Sequence, residues 1–481
     1  MELDRDLLSR QEVRSLVEEA HKAQARLAEM TQEDIDRIVA AIAQAGERDA
    51  AELGRLAWEE TGFGNAQDKA EKNRFAARQV YEAIRDQKTV GILRKDEARK
   101  VWDVGVPVGV IAGIVPSTNP TSTVIYKAMI ALKAGNTIVF SPHPGAKRCT
   151  LETARRMAAA AEAAGCPKGA IGCITEPTMD AVEELMRHEH VRLILATGGA
   201  AMVRSAYSSG KPAIGVGAGN GPAYFHPSCD VKAAVAAVFR SKTFDNGTIC
   251  ASEQSILYHR DQAQQVEAEL KNQGGVILSE AEAKKLASVL FRANGTMNPK
   301  IVGKPAGEIA ALADLGQEAR GARVLLARET GAGEKHPYSM EKLCPVLGLY
   351  QVESEDEALK LSCAILRHEG KGHTFALHAQ DEAVVERFAK AVPVSRFLVN
   401  TPASMGGVGM TTGLFPAMTL GCGAVGGSSS SNNIGPMDLL NIRRVAWGYQ
   451  QAAPGHTREE TVDGALIDAL TEKLLRRLME Q

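Results

Sequence analysis

The sequence predicts an α/β protein made of two doubly wound domains with a small β-sheet appendage. Three observations carry that prediction. Between 108 and 216, short apolar runs alternate with helix-period segments over brief connections, the pattern of a parallel sheet covered by helices on both faces. A second alternation of the same kind starts near 231. Two extended, charge-bearing stretches, 91–106 and 439–447, belong to neither alternation.

Residues 5–88 carry helical periodicity alone. Val13, Leu16, Val17, Ala20 and Leu27 form one stripe. Thr31 with Asp34 reads as a capping box that opens a second helix, whose stripe is Ile35, Ile38, Val39 and Ile42. A third helix runs to Glu60 and stops at Thr61-Gly62, and a fourth covers 67–86. The run 108–115 has no polar residue and fits a strand buried on both faces. Helix 121–134, strand 137–140, helix 147–164, strand 170–174, helix 179–188, strand 191–196, helix 200–209 and strand 212–216 follow. The second alternation gives helix 231–241, strand 254–258, helices 261–272 and 280–292, and a strand near 323–328. Helix 354–366, strand 373–378 and helix 381–391 complete it. Residues 403–433 are rich in Gly and Ser and read as long ordered loops. The stretch 450–457, with Pro454-Gly455, reads as a linker. The last segment is an amphipathic helix: Val462, Leu466, Leu470, Leu474 and Leu478 lie at i+4 steps, with Lys473, Arg476 and Arg477 opposite.

Composition narrows the function. A chain of 481 residues with 44% hydrophobic and 24% charged residues is an ordinary globular protein too long for one core. A formal net charge of -2 and 5% aromatics give no electrostatic or stacking case for nucleic acid, and none for an anionic membrane. No apolar run approaches the ~20 residues that span a bilayer, and the start of the chain lacks a signal-peptide core. The expected location is cytoplasmic. Eight scattered cysteines without a CxxC fit a reducing compartment rather than a disulfide framework. His188-Glu189-His190 has only weak metal spacing and reads as structural, so no metal is expected.

Cys250 carries the chemistry. It follows Asn246-Gly247 and leads into a strand, which places a thiol on a turn at a domain edge. Thr197-Gly198-Gly199 follows an apolar strand and opens a helix, so its N–H groups can meet a pyrophosphate. The glycine-rich run 215–221 is not such a fingerprint, because Pro222 and the strand-like Ala223-Tyr224-Phe225 follow it.

The segment Phe244-Asp245-Asn246-Gly247-Thr248-Ile249-Cys250-Ala251-Ser252-Glu253-Gln254-Ser255 resembles the nucleophile segment of CoA-acylating aldehyde dehydrogenases. The likeness is to the aldehyde dehydrogenase half of bifunctional aldehyde–alcohol dehydrogenases, and to microcompartment propionaldehyde and acetaldehyde dehydrogenases. It runs from about residue 10 to residue 448 and includes Ser117-Thr118-Asn119-Pro120, Phe140-Ser141-Pro142-His143-Pro144, Ala196-Thr197-Gly198-Gly199, Gly217-Ala218-Gly219-Asn220, Glu341-Lys342-Leu343-Cys344-Pro345 and Thr419-Leu420-Gly421-Cys422-Gly423.

The resemblance implies an aldehyde dehydrogenase-like fold with a dinucleotide-binding domain (1–90 and 107–230) and a catalytic domain (231–432). It also implies an oligomerisation flap (91–106 and 433–448), a linker (449–460) and a C-terminal helix (461–481). It implies Cys250 as nucleophile, the Asn119 side chain and Cys250 N–H as oxyanion donors, and His373 in thiol or proton transfer. Ser141, Pro142 and His143 are implied at the adenosine ribose, Thr197, Gly198, Gly199 and Gly217 along the cofactor, and Glu341 at the nicotinamide ribose. NAD is the implied cofactor, with NADP left open because no carboxylate follows Ser141-Pro142.

One departure sets the reaction. Hydrolytic relatives carry a glutamate in the stretch matching 215–219, where this chain has Val216 and no carboxylate nearby. Without a base, water competes poorly with a thiol, so the acyl group of a short-chain aldehyde (propionaldehyde or acetaldehyde) is expected on coenzyme A. The alternative is a non-acylating enzyme that releases the free acid. A stand-alone homodimer or homotetramer is expected. The C-terminal helix is either a packed terminal helix or a tag that docks on a microcompartment shell protein.

Overall fold

The computed structural model describes residues 4–292, 295–448 and 464–479. Helices α1 (Arg5–Leu27), α2 (Gln32–Arg48) and α3 (Ala50–Thr61) open the chain and bury the stripes their sequences carry. The Thr31 hydroxyl accepts the Asp34 N–H and the Asp34 carboxylate accepts the Thr31 N–H, both at 3.2 Å, closing the expected box. The expected helix 67–86 is a rod with a defect. Helix α4 (Ala66–Arg74) passes into α5 (Val80–Ile84) through a π turn, Phe75–Gln79, a form of helix found mostly as single turns near functional sites. The buried face of α4 is polar, with Lys69, Lys72 and Asn73.

Strands β1 (Gly91–Asp96), β2 (Val101–Pro107) and, far along the chain, a third at Leu440–Ala446 form a small antiparallel sheet with β2 central. Strands β3 (Val110–Ile114), β4 (Thr137–Ser141), β5 (Ile171–Cys173), β6 (Val191–Thr197) and β7 (Ala213–Val216) form a parallel sheet in the order β5-β4-β3-β6-β7. Between β3 and β4, helix α6 (Pro120–Lys133) is buried at every position. It lies under α2 and helix α7 (Lys147–Ala163). That burial explains why its sequence shows apolar residues on all sides rather than a stripe.

The second sheet is parallel and seven-stranded. It contains β8 (Gly221–Phe225), β9 (Glu253–His259), β10 (Gly275–Ile277), β11 (Val324–Arg328), β12 (Val346–Val352), β13 (Gly372–His378) and β14 (Val394–Val399), in the order β10-β11-β12-β9-β8-β13-β14. Three strands of it, β10, β12 and β14, are absent from the sequence reading. Strand β14 lies at the sheet's edge with a mixed burial pattern, so its apolar signal is weak. Residues 221–225, placed by sequence in the first domain, pair with β9 and β13 of the second sheet. The chain crosses between sheets at 217–220, before the boundary expected at 230, because the apolar β8 fits between two strands that come later in sequence.

Among the described residues no helix is long and apolar enough to cross a membrane, and no group of three or more His, Cys, Asp or Glu could hold a metal ion. In His188-Glu189-His190, the His190 ring stacks on His21 of α1 with centroids 3.9 Å apart. The expected linker, 449–460, lies outside the described residues. The C-terminal helix Gly464–Met479 exposes Ile467, Leu470, Leu474, Leu475, Leu478 and Met479.

The helical layer is pinned to the second sheet at Gly64, which follows α3. Its φ is +68°, and a Cβ there would fall 1.7 Å from Asp245 Oδ1. Gly64→Ala is therefore expected to destabilise the fold by more than about 2 kcal/mol. The urea midpoint measures this, and an unchanged midpoint contradicts the packing.

Candidate active site

Strand order in the first sheet reverses at β3 and β6, so the loops after these two strands splay apart and leave a crevice at their C-terminal ends. The second sheet meets that crevice with its opposite edge. Cys250 lies three residues before β9, Leu343 three before β12, and His373 is the second residue of β13. A cavity of about 630 Å³ fills the space between. Asn119 and Thr118 line it from the β3 side, Thr197, Gly198 and Gly199 from the β6 side, Gly217 from the crossover after β7, and Cys250 and Glu341 from the second sheet.

The turn before Cys250 is unusual backbone. Asp245, Asn246 and Gly247 are all left-handed, with φ of 48°, 51° and 77°. Asp and Asn tolerate that region better than most residues, yet two such residues in succession need support. Asp245 receives it from Lys72 Nζ at 2.6 Å and Lys69 Nζ at 3.0 Å, and Asn246 from the Gly303 carbonyl at 2.9 Å. Burial pulls the Asp245 carboxyl upward, but the two ammonium groups outweigh it and hold it below the usual carboxylate range.

All eight cysteines are free, and Cys250 is half-buried at the cavity wall while Cys344 and Cys422 nearby are buried. His373 Nε2 stands 3.2 Å from Cys250 Sγ, and His373 Nδ1 lies 2.8 Å from Thr374 Oγ1. The tautomer that donates from Nδ1 to Thr374 turns the Nε2 lone pair to the thiol. Burial pushes the thiol up to about 12, helped by the Glu341 carboxylate. Burial, with Arg396 adding to it, pulls His373 down to about 3. Both groups are neutral at pH 7, and a proton leaves the thiol only when the imidazole beside it can take it.

Asn119 and Glu341 both line the cavity. The Asn119 Nδ2 donates to the Thr248 carbonyl at 3.1 Å, two residues before Cys250. The N–H of Cys250 faces its own sulfur. Glu341 Oε1 accepts the Gly219 N–H at 2.8 Å. The stretch 215–219 has no carboxylate of its own, but Glu341 reaches it from another segment. Glu341 is close, and burial with the Glu369 charge raises it to about 8, so at neutral pH it is mainly a carboxyl group.

The cofactor residues divide. Gly199 caps the N-terminus of a helix at Ala200–Tyr207, and a Cβ on Gly199 or Gly217 would meet nothing within 4 Å. Open space over backbone N–H groups at the end of β6 fits a dinucleotide pyrophosphate. His143 lines the cavity, its Nδ1 accepting the Gly145 N–H at 3.0 Å. Ser141, the last residue of β4, and Pro142 are buried and do not line it.

The profile of the aldehyde dehydrogenase family matches residues 5–285, over half of the chain. The chain belongs to the aldehyde dehydrogenase family. It is 43% identical over 440 residues to the bifunctional aldehyde-alcohol dehydrogenase of Escherichia coli, covering 90% of this chain and 49% of that protein. It thus spans about half the length of the bifunctional relatives it matches. An acetylating aldehyde dehydrogenase from Geobacillus thermoglucosidasius is 51% identical, with a TM-score of 0.91 over 93% of this chain and 99% of that one. A propionaldehyde dehydrogenase from Rhodopseudomonas palustris, solved with bound CoA and an acylated cysteine, is 27% identical, with a TM-score of 0.83 over 90% of this chain and 97% of that one.

Sequence reasoning missed Lys69, Lys72 and Asp245 as a unit. Their only sequence sign is the pair of lysines on an otherwise core-facing side of α4. Glu369 and Arg396, which set the charge around Glu341 and His373, carry no sign at all.

Thiol reactivity reads these shifts. Iodoacetamide labelling of Cys250 in the free protein is expected to rise about tenfold per pH unit from 7 to 10, because the thiolate fraction does so below the pKa. Mass spectrometry of the labelled peptide measures it, and a plateau below pH 9 contradicts a thiol raised by burial.

Proposed function

We propose that this aldehyde dehydrogenase is CoA-acylating: it oxidises a short-chain aldehyde through a Cys250 thioester and passes the acyl group to coenzyme A. The observation that carries the reading is the makeup of the cavity wall around Cys250. It offers the Asn119 amide and backbone N–H groups, with His373 buried 3.2 Å from the thiol, while Val216 stands where a hydrolytic base would and Glu341 is mainly protonated at neutral pH. The relatives named acetylating and solved with CoA support the same reading.

Cys250 Sγ attacks the aldehyde carbon as His373 Nε2 accepts the thiol proton, giving a thiohemiacetal. Two ionisations that burial forbids singly are allowed together, since each charge stabilises the other at 3.2 Å. The oxyanion falls to the Asn119 Nδ2–H and the Cys250 N–H. A nicotinamide dinucleotide, NAD in this reading, supplies the hydride acceptor when bound. Thr197, Gly198 and Gly199 would hold its pyrophosphate, Glu341 its nicotinamide ribose and His143 its adenosine end. The thioester left on Cys250 has Val216, not a glutamate, where a hydrolytic base would activate water. The coenzyme A thiolate attacks the thioester carbonyl, the Cys250–acyl bond breaks, and the cysteine sulfur takes back a proton. Apolar lining from Phe63, Met297, Val302, Val408 and Met418 suits an unbranched hydrocarbon tail such as that of propionaldehyde.

NADH formation from propionaldehyde is expected to fall at least about a hundredfold when CoA is omitted and to vanish in Cys250→Ala. Equal rates with and without CoA would sink the acylating reading in favour of free-acid release.

Two wider assignments belong to the same reading. The three-stranded sheet, with Val445 and Trp447 exposed beside it, is the surface through which a homodimer or homotetramer forms. The exposed apolar stripe of the C-terminal helix is a tag for a microcompartment shell in the bacterial cytoplasm. Residues 449–481 fused to a fluorescent protein should gather in puncta in shell-forming cells; a diffuse signal there counts against the tag.

A further inference from the structure

Helix α4 turns two buried ammonium groups to the nucleophile turn. Lys72 Nζ donates to Asp245 Oδ2 at 2.6 Å, to Thr248 Oγ1 at 3.0 Å and to Asn119 Oδ1 at 2.6 Å. Three partners use all three donors of an ammonium. The contact with Asn119 is the informative one. Asn119 occupies the N-cap of α6, where an asparagine ordinarily turns its side-chain oxygen back to the first helical N–H groups. Here it makes no cap bond. Its oxygen is taken by Lys72, and its nitrogen, at the cavity wall, donates to the Thr248 carbonyl at 3.1 Å and to Thr118 Oγ1 at 3.2 Å, the contacts that an oxyanion would replace.

A free carboxamide presents oxygen or nitrogen with similar ease, and oxygen turned to an oxyanion would repel it. An ammonium on Oδ1 excludes that orientation and draws electron density from the N–H bonds, which strengthens the donor. Burial lowers Lys72 to about 8, with Asp245 pulling the other way, so the group stays mainly charged at neutral pH.

We propose that Lys72 is a positioning residue that locks the Asn119 carboxamide with its N–H toward the oxyanion formed on Cys250. The inference rests on the acyl-transfer reading, in which that oxyanion arises. Asp245 fixes the ammonium from the far side and Lys69 Nζ ties Asp245 to the Thr118 carbonyl at 2.9 Å. The N-terminal helical layer thereby completes a site whose reacting groups stand on two sheets.

A double-mutant cycle tests it, using kcat for CoA-dependent NADH formation in Lys72→Met, Asn119→Ala and the double variant. Lys72→Met should lower kcat about 10- to 100-fold with the aldehyde KM within about twofold. The double variant should be no slower than Asn119→Ala alone. Losses that multiply, or a Lys72→Met kcat within about threefold of native, overturn the proposal. Iodoacetamide labelling of Cys250 forms no oxyanion and should change by less than about twofold in Lys72→Met; a tenfold fall means a loosened nucleophile turn and also overturns it. If Lys72→Met does not fold, Lys72→Gln runs the same cycle. The native protein gives a reading of its own: the Asn119 side-chain amide, seen by NMR after selective 15N labelling, should be protected from hydrogen exchange, and rapid exchange rejects the lock. Native enzyme that forms no acyl-CoA at all defeats the acyl-transfer reading and this proposal with it, an outcome distinct from an additive cycle in an active enzyme.

Discussion

A carboxylate with no access to water, Asp245, lies between two ammonium groups with no access to water, and the active site is arranged around that contact. Ionised groups lose several kcal/mol each on leaving water, so such a cluster persists only where geometry and extra hydrogen bonds offset the loss. Here Asp245 accepts from Lys69, Lys72, Thr248 Oγ1 and the Asn65 N–H, which saturates both of its oxygens. The return is structural: one residue holds a left-handed turn in place, docks α4 on the second sheet and sets the height of the loop that ends in Cys250. Gly64, glycine because any Cβ would strike the same carboxylate, is part of the same contact.

Low polarity governs the reacting groups as well. Cys250, His373 and Glu341 are each pushed toward their neutral form by burial. A resting site without charge on thiol or imidazole resists oxidation and chance alkylation. It gains a thiolate–imidazolium pair only when a carbonyl is in place to consume the thiolate. The same burial that delays the thiol also keeps Glu341 mainly protonated at neutral pH, so one physical cause sets the resting state of both groups.

The two sheets contribute unlike edges. The first offers strand C-termini, where loops diverge and backbone N–H groups turn outward, which suits a phosphate-bearing ligand. The second offers strand N-termini, where Cys250, Leu343 and His373 arrive on short, well-ordered leads into β9, β12 and β13. Each edge alone is half a site, and the chain's crossing at 217–220 brings them face to face.

Much of this was legible in the residues. Long periodic segments gave α1, α2 and the strands β3, β4 and β6 nearly to the residue, because their patterns arise from local geometry and burial on one or both faces. The nucleophile segment and the absence of a base at Val216 are also local facts. The strands with weak or unread signals, β10, β12 and β14, were not legible, and neither was the sheet to which β8 belongs, since partners in a parallel sheet are chosen by crossovers of distant segments. Nor could sequence remove Ser141 and Pro142 from the cavity wall, since their burial is set by the packing around the end of β4. The sequence by itself determined which groups this protein has for chemistry: a thiol, an imidazole, amide donors and no aligned glutamate. Only the tertiary structure decided their state. Glu341 is mainly protonated, Asn119 faces nitrogen-first and His373 is neutral because of burial and charges 23 to 47 residues distant, on other elements, and no local pattern encodes those.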